Sequence, residues 1–224
     1  MKRIIALAIG LVLLLCACGE AKGEPPAAPE LISHWTENDI SLYYVEEGTV
    51  LLRHGNREET FSGWGKDWID FRYQPGMAYF DIDGDGLNEL LISTQVTHGE
   101  TFSQNLHVIT LDAEIWTDHV FTTDDVAAQF DRLTQYKRGE AENTIEVTIG
   151  EKTWNILLAR PDFSWVEPSV SHCQIHFGGK ITLQASSDAL YGDFIANVTF
   201  DGEQFHIGDV DYLAQPFEAE NEHA

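Results

Sequence analysis

Between residues 80 and 93 the chain reads FDIDGDGLNELLIS, with carboxylates at alternate positions, Asp81, Asp83 and Asp85, followed by Glu89. In a loop that turns tightly, side chains at the first, third and fifth positions converge on one centre. Gly86, at the sixth, permits the turn that brings the Leu87 carbonyl inward. Hard, charged oxygen donors in this arrangement suit Ca2+, whose ligands lie at about 2.3–2.6 Å. Mg2+ is the other hard cation open to such a set. The plain alternative is an Asp-Gly hairpin turn that binds nothing. Carboxylates at this density weigh against it, because without a cation they repel one another and an ordinary turn gains nothing from that cost.

The helix-loop-helix calcium motif does not fit. It needs a bidentate glutamate at the twelfth position, where Ile92 stands inside the strand-like run LLIS. The pattern resembles instead the calcium loop of FG-GAP and VCBS repeats, roughly D-x-D-G-D-G-x-x-D/E-L between two strands. That resemblance implies a Ca2+ held by Asp81, Asp83, Asp85, the Leu87 carbonyl and Glu89. It is confined to residues 80–93, and no second copy is found in the chain. Such repeats normally build β-propellers of several blades, so a single copy implies at most an incomplete, propeller-like stack.

Other groups of reactive side chains carry less. His172, Cys173 and His176 lie in SHCQIHF. On a helix the two histidines could share zinc. The alternation, however, reads as a strand, with Cys173, Ile175 and Phe177 on an apolar face, and there the histidines stand about 13 Å apart. Scattered histidines such as His98, His107 and His119 are more often packing or surface residues than ligands. No nucleophile elbow, zinc-protease, P-loop or dinucleotide fingerprint is present. Trp64, Trp68 and Tyr73 fall just before the aspartate loop, within a glycine-containing aromatic stretch. They read either as packing or as a face that stacks on a sugar or peptide.

The start of the chain bears on where these residues would act. Lys2 and Arg3 precede an apolar run, Ile4 to Leu15, shorter than the roughly 20 residues of a membrane span. A basic start and a short apolar core describe an export signal. LCAC, residues 15–18, resembles the lipobox of bacterial lipoproteins. By that resemblance residues 1–17 are a signal peptide, and Cys18 carries the diacylglyceryl anchor that holds the chain on the outer face of the cell membrane. Residues 18–32 then read as a proline-rich tether. Lipobox, tether and a single aspartate loop together are similar to small exported lipoproteins of Gram-positive bacteria. Beyond Cys18 only Cys173 remains, so an intramolecular disulfide is not available to the exported part.

Thirteen basic residues stand against thirty-seven acidic ones, a net charge of −24. Such a field repels nucleic acid and concentrates cations. The rest of the chain is strand-like. Hairpins are expected at residues 40–55, at 143–157, and at 193–208 with Asp201-Gly202 as the turn. One amphipathic helix is expected over about 123–138, with Thr123 or Asp124 as N-cap. The expectation is one β-rich α+β domain, residues 33–217, with mainly antiparallel sheets and an acidic tail over 218–224. For function it is a calcium-stabilised binding or structural module with a protein or glycan ligand. The other reading is an extracytoplasmic hydrolase acting on glycan.

Overall fold

The computed structural model describes residues 28–64, 75–98, 101–112, 114–159 and 169–214. Cys18, the signal peptide, Trp68, Tyr73 and the acidic tail lie outside the described residues.

The chain lays down four antiparallel sheets in succession. β1 (Glu30–Trp35), β2 (Ile40–Glu46), β3 (Thr49–His54) and β4 (Arg57–Ser62) form the first, in that order. β1 starts at Glu30, inside the stretch read as tether. The second comprises β5 (Gly76–Phe80), β6 (Glu89–His98), β7 (Thr101–Leu111) and β8 (Trp116–Phe121). β9 (Thr134–Arg138), β10 (Thr144–Ile149) and β11 (Lys152–Leu157) make a three-stranded third sheet. The fourth contains β12 (His172–Phe177), β13 (Ile181–Ser186), β14 (Asp193–Phe200) and β15 (Phe205–Leu213). The expected hairpins all form, and the fold is β-rich with a single α-helix among the described residues. The four sheets are open and do not close into a propeller.

That helix, α1 (Thr123–Leu133), is shorter than the sequence pattern suggests. Its N-cap is Thr122, not Thr123 or Asp124. The Thr122 side chain accepts from the Asp125 N–H while the Asp125 carboxylate accepts from the Thr122 N–H, a reciprocal capping box. Val126 and Phe130 face the core. The chain turns extended at Thr134, whose hydroxyl donates to the Phe130 carbonyl, and residues 134–138 become β9. Tyr136 keeps helical spacing with Phe130 and Leu133, yet it pairs with Val147 across β9 and β10. Sheet pairing thus overrides a helical pattern over the last five residues.

The second sheet is the centre of the molecule. Leu90, Leu91 and Ile92 are successive residues of β6 and all are fully buried. Neighbouring strand residues point to opposite faces, so both faces of this sheet are covered. Leu91, Leu106, Val108 and Phe121 face a core shared with α1 and the third and fourth sheets. Leu90, Ile92, Ile109 and Trp116 face a second core closed by Ile40, Leu42, Val50 and Leu52 of the first sheet. Full burial of an aliphatic side chain of this size contributes about 1.5–3 kcal/mol.

The fourth sheet has two edges, and side chains partner backbone groups on both. At β12 the Cys173 N–H donates to Ser103 Oγ at 2.9 Å and the Ile175 N–H to Gln104 Oε1 at 2.6 Å. At β15 the Gln129 amide of α1 both donates to the Phe205 carbonyl and accepts from the Ile207 N–H. Cys173 is wholly buried, its sulfur within hydrogen-bonding reach of the Gln104 carbonyl. It is a structural residue of this seam. His172 and His176 point to the other side of β12, and His172 pairs with Asp188 at 3.0 Å.

Candidate metal centre

The aspartate loop is the connection of the β5–β6 hairpin: Phe80 pairs with Glu89, and residues 81–88 span between them. Strand–loop–strand is therefore the form taken, as the run after Glu89 implies. Gly84 and Gly86 both have positive φ, 82° and 90°, a region that costs an L side chain strain but suits glycine. Those two turns bend the backbone around Asp81, whose Oδ1 accepts from the Gly84 N–H at 2.7 Å and Oδ2 from the Gly86 N–H at 3.0 Å. Asp83 accepts from the Asp85 N–H and Asp85 from the Leu87 N–H. The loop's own amides fix the aspartates before any ligand arrives.

Glu89 behaves differently from the three aspartates. It is the first residue of β6, only 3% exposed, and its Oε2 accepts from the Ile82 N–H at 3.0 Å. Burial pushes its carboxyl above the usual range, and the negative charges of Asp83, Asp85 and Asp81 push the same way; the Ile82 N–H opposes them. Ile82 and Phe80 pack against the larger core, which anchors the first arm of the loop. Oxygens of Asp81, Asp83 and Glu89 lie within 4.8 Å of one another, and these three could hold a metal ion. A buried carboxylate facing further carboxylates is a donor set for a hard cation and poorly placed otherwise.

One of the expected carboxylates, Asp85, stands outside this group. Asp85 is exposed, with Oδ1 engaged by the Leu87 N–H, and the Leu87 side chain is 65% exposed. A third element approaches from elsewhere. A Cβ added at Gly202, in the β14–β15 turn, would lie 3.5 Å from Asp83 Oδ2. Beside it, Asp201 is lowered to about 2 by its bond to His206 and by the Gln204 and Glu203 N–H groups.

Trp64 has no free face for a ligand. It is 5% exposed, stacks on His107 with ring centroids 3.9 Å apart, and donates Nε1–H to Asp118 at 2.7 Å. His107, also buried, places Nδ1 3.0 Å from the same carboxylate. Trp64 is thus part of a buried Trp–Asp–His network that closes the smaller core. His107 and Asp118 share the β7–β8 hairpin, but Trp64 joins them from more than forty residues away, so sequence spacing alone did not point to this arrangement. No protein-family model, curated protein or solved structure matches this chain.

Proposed function

We propose that this protein is an exported lipoprotein, anchored through Cys18 on the outer face of the cell membrane. Its β-rich domain is stabilised by one Ca2+ in the 81–89 loop and serves as a binding or structural module. The observation that carries the metal assignment is the convergence of Asp81, Asp83 and the buried Glu89 within 4.8 Å. Asp85 and the Leu87 carbonyl join them when the loop closes on the ion. The anchor rests on LCAC at residues 15–18 and the apolar run before it. No helix among the described residues is long and apolar enough to cross a membrane.

Thermal unfolding of the full chain in detergent, with excess Ca2+ and with EGTA, tests the metal. Free Ca2+ at a hundred times its dissociation constant adds about 2.7 kcal/mol, a rise of roughly 5–10 °C in a domain of this size. Asp83→Ala should remove that rise. Identical melting of the unmodified protein in both buffers would refute the calcium reading. For the anchor, Cys18→Ala should move the protein from the membrane fraction to the soluble one.

A further inference from the structure

We propose that the cleft beside the aspartate loop is a carbohydrate subsite that takes one neutral sugar ring, and that the loop's cation sets its outer wall. The proposal rests on the calcium reading above only for that metal dependence.

The cleft has a volume of about 310 Å3 and opens to solvent where the ends of the first and second sheets meet. That is the lower end of the range for small-molecule sites, enough for a single ring of a longer chain. His54 and Arg57 enter from the β3–β4 hairpin, Tyr79 from β5, and Leu111, Asp112 and Trp116 from the ends of β7 and β8. Leu87 and Asn88 of the aspartate loop supply the remaining wall. The His54 ring packs edge-on to Tyr79, centroids 5.8 Å apart, and tilts over Trp116 at 6.4 Å.

The lining chemistry selects among ligands. Arg57 is the cleft's cation and it is committed: its guanidinium donates to the Asp112 and Glu114 carbonyls, both at 2.7 Å, and lies 4.8 Å over the Trp116 ring. Asp112 and the neighbouring loop carboxylates make the surroundings negative. Phosphate, sulfate and acidic sugars are therefore disfavoured. Among the described residues no hydrogen bond is made by the His54 ring, the Tyr79 hydroxyl or the Asn88 amide. The Asp112 carboxylate holds only a long contact from the Glu114 N–H, at 3.4 Å. Donors and acceptors are thus mixed around ring faces and the Leu87 and Leu111 side chains. A sugar ring matches this lining: each hydroxyl both donates and accepts, and its C–H face packs on apolar and aromatic groups. A peptide would seek a strand edge for its backbone, whereas this cleft is lined by side chains.

The link to the ion is steric. Leu87 and Asn88 lie between Asp85 and Glu89, so a cation that draws the loop together fixes the cleft's wall. A ligand and a cation that stabilise the same loop conformation raise each other's affinity reciprocally.

The full chain in detergent is titrated calorimetrically with cellotriose, maltotriose and chitotriose, in Ca2+ and in EGTA. A heparin tetrasaccharide and an unstructured neutral peptide serve as competing classes. At least one neutral trisaccharide should bind, at least fivefold more tightly in Ca2+. Asp112→Ala and His54→Ala should each weaken it at least fivefold while keeping the calcium-dependent rise in melting temperature. The exposed Asp112 side chain makes its variant the one expected to fold normally. Failure of all three sugars to bind, binding that neither substitution weakens, or preference for heparin or the peptide overturns the subsite. Sugar binding equal in both buffers, with the melting rise intact, overturns the coupling alone. Sugar binding sensitive to Asp112→Ala but without any melting rise upholds the subsite and removes the calcium reading.

Discussion

Glu89 shows how one side chain can oppose folding in one condition and support it in another. Without a cation its carboxylate is buried among like charges, and its pKa is raised accordingly. With a cation the same burial strengthens the attraction, because water screens it poorly. Glu89→Gln keeps the shape and can still accept the Ile82 N–H, but it carries no charge. We expect the variant to melt above the unmodified protein in EGTA and below it in Ca2+, and paired melting curves show the crossing. A second residue carries a cost of another kind. Among the described residues, Thr94 Oγ1 and His107 Nε2 are covered and have no hydrogen-bond partner. Ile92–His107 and Thr94–Asn105 pairing sets the two on one face of the second sheet. A buried polar atom left unpaired costs about 1–3 kcal/mol. Thr94→Val removes one such atom at nearly constant shape and should stabilise by about 1 kcal/mol, measured by urea denaturation.

At the scale of elements, sheets need protected edges, and here side chains protect them. Gln129 offers β15 the donor and acceptor that a further strand would have offered. Gln129→Ala leaves the Phe205 carbonyl and the Ile207 N–H without that partner, beside side chains that are almost fully buried. We expect a loss of about 1–3 kcal/mol, with amide exchange at Ile207 accelerated more than at Val198 in the middle of the sheet. The strands were legible in the sequence for a local reason. Alternation at Ile145, Val147 and Ile149, and turn residues at Gly150 and Asp201-Gly202, depend only on near neighbours. The end of α1 was not legible, because Thr134–Arg138 forms a strand through a partner, β10, that lies farther along the chain. The aspartate loop was readable as a strand–loop–strand unit because its residues are contiguous. By contrast, the Gly202 approach, the Trp64–Asp118–His107 network and the cleft at His54 depend on long-range packing. The aromatic stretch before the loop therefore read either as packing or as a ligand face, and at Trp64 the fold has a core.

For the whole molecule the governing quantity is charge. A net −24 on 224 residues, with one candidate cation site among the described residues, makes general repulsion and specific binding two separate contributions to stability. They respond differently to salt. Raising NaCl from 0.01 M to 0.15 M shortens the screening length from about 30 Å to about 8 Å, which relieves long-range repulsion between surface carboxylates whatever the cation. An ion seated among Asp81, Asp83 and Glu89 acts at contact distance and saturates. In EGTA the melting temperature should therefore climb gradually with NaCl. At 0.15 M NaCl, where most of that repulsion is already screened, Ca2+ should add a further increment that saturates with concentration. Mg2+ should reproduce little of it, since it holds its water more tightly and demands a smaller octahedral shell. An equal rise with Ca2+ and Mg2+, following ionic strength alone, would mean that the loop carries charge without a bound ion. A saturating, Ca2+-selective rise that disappears in Asp83→Ala while the NaCl slope persists is the outcome that the proposed calcium site predicts.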